Sequence, residues 1–212
     1  MKTSKMVLPV SVAIIALLQS MKKKPTMSTV TPAMRQGQRK QVKLVIDGNN
    51  YVTNYPNLPV IPIEWTYNTF ADTIKTIRSK GFAPNMQKNI FAFIYAEAAK
   101  TADRKSFKGV NNNYAGVQTD SGVWGYNNFI AQAGIKDSGG RFRMFAVFSD
   151  FNEFIDFVHN RLIAKGFGSI DTADAWSPKY LTSWVGVPAT STAVASKKAI
   201  YNTAISIFNK TP

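Results

Sequence analysis

The sequence predicts a mainly helical domain of the α+β class, with a small β region between helices and a hydrophobic segment ahead of the domain. Apolar residues recur at helical spacing in four stretches, the first of which begins near residue 70. About 45 residues rich in Asn, Gly, Tyr and Ser separate the second stretch from the third. A connection of that length rarely lacks structure of its own, so we expect it to hold short strands.

The chain starts with a candidate membrane segment. Residues 6–18 (MVLPVSVAIIALL) are uncharged and almost entirely apolar, and lysines flank them on both sides. The run is shorter than the roughly 20 residues that cross a bilayer, and no small-residue cleavage site precedes the second group of lysines. We expect residues 1–20 to be an uncleaved anchor, with a cleaved signal segment or a buried core helix as alternatives. Residues 21–42 are basic and poor in large apolar groups, which predicts a flexible linker ahead of a domain at 43–212.

The composition removes several kinds of site. There is no cysteine and only one histidine, His159, so disulfides, thiolate chemistry and multi-histidine metal centres are excluded. The net charge of +14 divides into +9 for residues 1–43 and +5 for residues 44–212. A moderately basic domain suits an anionic polymer, although charge alone would suit nucleic acid equally well. No nucleotide-binding glycine motif occurs, so we expect no cofactor and no specific nucleic-acid partner.

The domain begins with a predicted hairpin and a first helix. The runs KLVI and YVTNY lie on either side of a turn-forming stretch at residues 47–50 (DGNN), which predicts two short strands. A proline-rich stretch follows and predicts an irregular connection. Phe70, Ile74 and Ile77 then share one helix face, and Gly81 is placed to end that helix.

Three further helices are predicted after the first. The second begins with Asn85 as its cap and ends near Glu97. Asp150 and Glu153 have the spacing of a capping box for the third helix. The last helix covers about residues 192–208, so the domain carries four helices in all.

Glu97 is the first candidate for chemistry, because it follows the apolar run FAFIYA on its helix. Apolar surroundings disfavour the charged form of a carboxyl group, which can then stay protonated and act as a general acid near neutral pH. The alternative is an exposed glutamate that pairs with Lys100 or Arg104. Position in the sequence does not separate the two.

Four pieces of sequence occur in order around and after this glutamate: FIYAEAAKT, NNNYAGVQ, RFRMFAVFSDFNEFIDFVHNRL and DAWSPKYLTSW. In this order and spacing they resemble the lysozyme-like superfamily, in both its glucosaminidase branch and its lytic transglycosylases. The resemblance covers about residues 70–184. Two features depart from the family: Ala98 and Ala99 follow the glutamate where Ser or Gly is usual, and no repeat or wall-binding module occurs in the sequence.

The resemblance implies a lysozyme-like catalytic domain, a muralytic glycosidase that cleaves the glycan strands of peptidoglycan with Glu97 as proton donor. It implies a sugar cleft lined by Tyr114, Gly116 and Gln118, with Tyr180 as a late tyrosine near the catalytic acid. Trp124 and Tyr126 are further candidates to bind the substrate. Aromatic side chains stack on sugar faces, although Trp124 serves equally well as an ordinary core or hairpin residue.

A second acid is needed for the usual two-carboxylate hydrolysis. Elimination among the twelve acids leaves Asp120, just past NNNYAGVQ, as the preferred catalytic partner of Glu97, with Asp103 as the alternative. A single acid also suffices if a hydroxyl of the sugar itself attacks, as in the lytic transglycosylases that this sequence resembles. Which glycosidic bond is cut stays open.

Two other functions remain open from the sequence. The same domain could bind glycan or serve a structural role without catalysis, and the basic residues 1–43 could bind a membrane surface or nucleic acid. The expected partners are peptidoglycan strands and, through the N-terminal segment, a membrane. The domain would face the cell wall from its anchor, belong to a virion if the chain comes from a bacteriophage, or be secreted if the segment is cleaved.

Overall fold

The computed structural model describes residues 41–120, 129–137 and 139–212. The anchor expected at 1–20, and all but the last two residues of the linker expected at 21–42, lie outside these residues. Within them, 44% of the residues are helical and 23% are in strands, arranged as five α-helices and seven strands in three sheets. No helix in this part of the chain is long and apolar enough to cross a membrane.

The first sheet is the predicted hairpin. Strand β1 (Val42–Ile46) pairs antiparallel with β2 (Asn49–Thr53). The two residues between them, Asp47 and Gly48, both have positive φ, at 49° and 74°. Two such residues are typical of the tight turn whose twist matches that of the flanking strands. The hairpin prediction is confirmed.

The second sheet joins parts of the chain that lie on both sides of the first two helices. Its strands are β3 (Trp65–Thr69), β4 (Ala99–Lys100) and β5 (Ser106–Val110), which run antiparallel in the order β3-β5-β4. Strand β3 lies at an edge of this sheet, and exposed and half-buried residues alternate along it because its two faces differ in burial. The proline-rich stretch predicted an irregular approach to this segment, and the sequence pattern did not predict the strand.

The third sheet lies in the long Asn- and Gly-rich region, where short strands are expected. Strand β6 (Ala131–Lys136) pairs antiparallel with β7 (Phe142–Val147). The Tyr51 ring of the first hairpin packs on this sheet, with its centre 5.3 Å from that of Phe142. A Cβ atom at Gly134 would come within 2.6 Å of the same ring, so glycine permits the two hairpins to approach closely.

The helices begin and end at identifiable residues. They are α1 (Phe70–Ser79), α2 (Pro84–Glu97), α3 (Phe151–Ala164), α4 (Ala173–Tyr180) and α5 (Ser191–Lys210), and a π-helical turn (Leu181–Val185) follows α4. The Asp150 side chain accepts a hydrogen bond from the Glu153 N–H at 2.9 Å, which confirms the predicted cap of α3. Helix α2 starts at Pro84, which suits a first helical position, and not with Asn85 as a cap.

Helix α2 runs through the hydrophobic core. The five residues 90–94 are each at most 1% exposed. A helix that is apolar on every side is covered by its neighbours on every side, and α1, α3 and α5 pack against this one. Glu97 is the last residue of this buried helix.

The prediction of a mainly helical, lysozyme-like domain with one small β region between helices is wrong. The chain is α+β in the broad sense, but its seven strands form three sheets that do not fit the specific lysozyme fold. Three strands precede the first helix, because residues 42–53 pair with each other and residues 65–69 pair with β5. The latter pairing is long-range, and helical periodicity gave no indication of it.

Candidate functional site

Glu97 lies where the buried helix α2 meets the second sheet. The Ala98 N–H still bonds to the Ile94 carbonyl, but Ala98 itself is extended, and β4 begins at the next residue. The helix therefore ends at Glu97 and leaves the half-buried carboxyl group of this residue at a cavity. Ala98 and Ala99 are small and line the same cavity.

Two donors hold the carboxyl group of Glu97. The Tyr180 hydroxyl donates a hydrogen bond to Glu97 Oε1, and the Trp184 side chain, whose only donor is the indole N–H, makes a second. Lys197 and Lys100 add favourable charge. Burial nevertheless dominates and raises the pKa of Glu97 above its ordinary value, against the lowering effect of these four groups. The site thus favours a protonated acid while holding groups that stabilise its carboxylate.

The end of α4 positions the two donors. Tyr180 is stacked on Trp176 with ring centres 4.7 Å apart, and Trp176 is fully buried. The π-helical turn then carries Trp184, whose ring packs edge-on against Phe93 at 4.4 Å. Such wider turns are frequent at functional sites, because they place a side chain that a regular helix would direct elsewhere. Burial and the adjacent Glu97 raise the pKa of the Tyr180 hydroxyl, so it stays a donor.

The cavity in front of Glu97 is open and has a volume of about 210 Å³. Among the described residues that line it, Glu97 is the only acid. Trp65 lines it from β3 and is 52% exposed, and Tyr67, which is 59% exposed, lies two residues further on the same face of that strand. Lys108 of β5 also lines the cavity, with its Nζ 3.9 Å from the centre of the Trp65 ring. An exposed aromatic surface beside a buried acid suits a sugar ring.

The segment NNNYAGVQ forms another wall of the cavity. Its Asn113 is buried and makes four hydrogen bonds, donating to the carbonyls of Val117 and Ala146 and accepting from the N–H groups of Ala115 and Val117. These bonds fix the loop that carries the predicted residues Tyr114 and Gly116, both of which line the cavity.

Tyr114 and Gly116 meet the cavity in different ways. Tyr114 is only 3% exposed and packs edge-on against Phe151, and burial raises the pKa of its hydroxyl. Gly116 is exposed and has φ of +60°, a conformation that other residues rarely adopt. The loop therefore brings a bare stretch of backbone to the cavity.

Gln118 and Asp120 lie beside Arg143 of β7 instead of lining the cavity. Arg143 donates from Nε to Asp120 Oδ2 at 2.5 Å and from Nη2 to Asp120 Oδ1 at 3.1 Å, and its Nη2 also donates to Gln118 Oε1. Both carboxylate oxygens of Asp120 are thus engaged in a two-point ion pair. Asp103, the alternative acid, is exposed and accepts hydrogen bonds from Thr101 Oγ1 and the Lys105 N–H in a turn.

The structure thus brings together four of the predicted residues: Glu97 and Tyr180 in contact, with Tyr114 and Gly116 on the cavity wall. Trp124 and Tyr126 lie outside the described residues. The only histidine of the sequence, His159, lies in helix α3. Its ring is stacked on that of Phe82, with ring centres 4.0 Å apart, so it is a packed side chain.

Several residues at or beside the site were not predicted from the sequence: Trp65, Tyr67, Lys108, Trp184 and Lys197. The alternation in WTYNT is the signal that could have placed Trp65 and Tyr67 on one face of a strand. Nothing comparable marks Trp184 or Lys197, because both reach Glu97 through tertiary packing.

No group of three or more metal-binding side chains occurs in the part of the chain that the structure describes.

Comparison of the chain with protein-family models, with curated proteins and with solved structures found no match. Function must therefore be inferred from the geometry of the site.

Proposed function

We propose that this protein cleaves the glycan strands of peptidoglycan, with Glu97 as the general acid. The observation that carries the proposal is the half-buried carboxyl group of Glu97, which lies at an open cavity beside the exposed ring of Trp65. Burial raises the pKa of this carboxyl group. A protonated carboxyl group can supply the proton that a glycosidic oxygen needs to leave, and an exposed aromatic ring offers a surface on which a sugar can pack.

In the first step, protonated Glu97 transfers its proton to the glycosidic oxygen as the bond from that oxygen to the anomeric carbon breaks. The sugar on one side leaves with a free hydroxyl group, and positive charge develops on the anomeric carbon of the other. Glu97 becomes a carboxylate. The hydrogen bonds from Tyr180 and Trp184, and the charges of Lys197 and Lys100, then stabilise that anion.

In the second step, an oxygen nucleophile bonds to the anomeric carbon and gives its proton to the Glu97 carboxylate, which restores the acid. A single carboxyl group serves both steps in this scheme. We propose this route because Glu97 is the only acid among the described cavity residues, whereas both oxygens of Asp120 are held by Arg143. The nucleophile is either water or a hydroxyl of the same sugar.

The charge of the domain supports an anionic polymer as the substrate. Residues 44–212 carry a net charge of +5. Lys108 lines the cavity, and Lys100 and Lys197 lie close enough to influence Glu97. Peptidoglycan is a polymer of sugar rings with carboxylates, so it offers both a surface for Trp65 and charge for these lysines.

The test is mass spectrometry of the fragments that the full-length chain releases from purified peptidoglycan. Glu97→Gln keeps the shape and the hydrogen-bond acceptor but cannot transfer a proton, so fragment release should fall by about 10²- to 10⁴-fold. Glu64→Gln is the matched control, because Glu64 is an exposed glutamate next to Trp65 that does not line the cavity. It should retain wild-type release.

The products also identify the nucleophile. Reducing ends that disappear in Glu97→Gln indicate attack by water, and 1,6-anhydro ends indicate attack by the sugar's own hydroxyl. Undiminished release by Glu97→Gln would refute the role of Glu97. If the folded wild-type protein binds the polymer and releases nothing, the cavity is a glycan-binding site without catalysis.

A further inference from the structure

We infer that the cavity in front of Glu97 takes a sugar unit that bears a carboxylate, and that Lys108 recognises this charge. The inference rests on the proposed function for the chemistry of Glu97, and adds to it the residue that selects the substrate. It is carried by the position of Lys108, by the partners of the charges around it and by the contact of Lys108 with Trp65.

Lys108 occupies the middle strand of the second sheet, directly opposite Tyr67 of β3 and Ala99 of β4. Opposite residues of antiparallel strands share a face, so Lys108 lies on the same face as the exposed Trp65 and Tyr67. It is one of the residues that line the cavity. The side chain is therefore directed at the space in which the proposed substrate binds.

The charge of Lys108 has no carboxylate partner in the described part of the chain. No described acid lies within 4.0 Å of its Nζ. The charges that act on Glu97 are those of Lys197 and Lys100.

Asp103 and Asp120, the two acids predicted as catalytic partners of Glu97, have partners of their own. Asp103 accepts hydrogen bonds within its turn, and Asp120 pairs with Arg143. An unneutralised cation on a cavity wall attracts an anionic group of the ligand.

The contact with Trp65 links this charge to recognition of a sugar. The Lys108 ammonium group lies over the Trp65 ring, 3.9 Å from its centre, within the range of a cation–π interaction. Half of Trp65 remains exposed. A sugar ring can pack on this surface, and a carboxylate of the same sugar unit can then pair with the ammonium group beside it.

The experiment measures binding without cleavage, by calorimetry with the full-length Glu97→Gln protein. The ligands are a β-1,4-linked N-acetylhexosamine oligomer with a lactyl carboxylate on alternate sugars, and the same oligomer with each carboxylate converted to its neutral amide. The carboxylate form should bind about three- to tenfold more tightly, and the preference should shrink as salt is added. Lys108→Met should abolish the preference, and Lys108→Arg should keep it.

Lys105→Met is the matched control, because Lys105 is an exposed lysine three residues away that does not line the cavity. It should keep the preference. If Lys108→Met is folded by circular dichroism and still prefers the carboxylate, or if neither ligand binds, the inference is overturned. Cleavage by the wild-type protein is scored separately, so a Lys108-dependent preference without cleavage would retain the carboxylate site and reject only the hydrolytic function.

Discussion

At the scale of single residues, Glu97 is subject to opposing influences that suit the two states of a general acid. Burial at the end of α2 favours the protonated form, whereas Tyr180, Trp184, Lys197 and Lys100 favour the carboxylate. Burial has the larger effect, so the pKa is raised. Proton retention is therefore favoured relative to an ordinary glutamate, and the carboxylate that forms on proton transfer meets donors that are already in place. Such preorganised donors need no rearrangement during the reaction.

Replacing Tyr180 by Phe should move the pH dependence of activity. The Tyr180 hydrogen bond lowers the pKa of Glu97, so its loss raises that pKa further. A general acid works in its protonated form, and the fall of kcat/KM at high pH should therefore shift to higher pH in Tyr180→Phe. The carboxylate formed in the reaction also loses a donor, so kcat should fall by roughly tenfold.

The measurement is the pH profile of kcat/KM for fragment release. Tyr201→Phe is the matched control, because Tyr201 is also a buried tyrosine. The Tyr201 hydroxyl donates a hydrogen bond to Asn89 Oδ1 at 3.5 Å instead of to Glu97. Its profile should overlay that of the wild type. A high-pH limb that stays in place in Tyr180→Phe, or moves to lower pH, would show that Glu97 is not the acid being titrated.

At the scale of elements, the loop after β5 depends on buried asparagines. Asn111 and Asn112 have positive φ, at 47° and 62°, a conformation that asparagine tolerates better than most residues. The Asn113 side chain then takes the place of a backbone partner for the turn that follows. The repeated asparagines of NNNYAGVQ are thus explained by the path of the chain as much as by any ligand.

Asn113→Ala should destabilise the protein by about 2–3 kcal/mol, because it removes four hydrogen bonds and leaves buried carbonyls and N–H groups without this partner. Urea unfolding gives the free energy of unfolding. Asn202→Ala, at an exposed position in α5, serves as the control and should change it by less than about 0.5 kcal/mol. Equal unfolding midpoints for the two variants would contradict the proposed role of Asn113.

Elements with a strong local signal could be predicted from the sequence. The first hairpin follows from the turn residues Asp47 and Gly48, and α3 follows from Asp150 and an apolar helix face. The short helix α4 was not predicted, because Pro178 lies inside it. Strand β3 was not predicted either, because a proline-rich stretch directly precedes it. Local patterns fail where pairing with a distant segment, and not the segment's own preference, decides the structure.

At the scale of the whole molecule, the site exists only because distant segments converge. Trp65, Glu97 and Tyr180 come from an edge strand, a core helix and the last part of a late helix. The sequence indicated the acid and the loop beside it, because each has a local pattern of its own. It did not indicate the three-sheet architecture, since the pairing of β3 with β5 spans two helices and is set by tertiary packing.

The raised pKa of Glu97 should also change how the stability of the whole protein depends on pH. The folded state raises the pKa of Glu97 above its ordinary value, so the folded protein binds this proton more tightly than the unfolded chain does. This contribution to stability is fully present below the ordinary pKa of a glutamate, near 4.5, and is lost as pH rises through the raised value. Glutamine carries no such proton. The melting temperature of Glu97→Gln minus that of the wild type should therefore increase as pH rises across this window.

Thermal unfolding followed by circular dichroism from pH 4 to pH 8 measures this difference. Glu64→Gln separates the effect of burial from that of net charge, because both variants remove one negative charge from a basic protein but Glu64 is exposed. Each variant removes one negative charge, so repulsion among the positive charges should affect the melting temperatures of both variants similarly. The difference between the two variants then reports the buried carboxyl group alone, and it should favour Glu97→Gln increasingly with pH. A difference that does not change with pH would mean that Glu97 ionises in the folded protein as readily as in the unfolded chain, and the general-acid assignment would lose its physical basis.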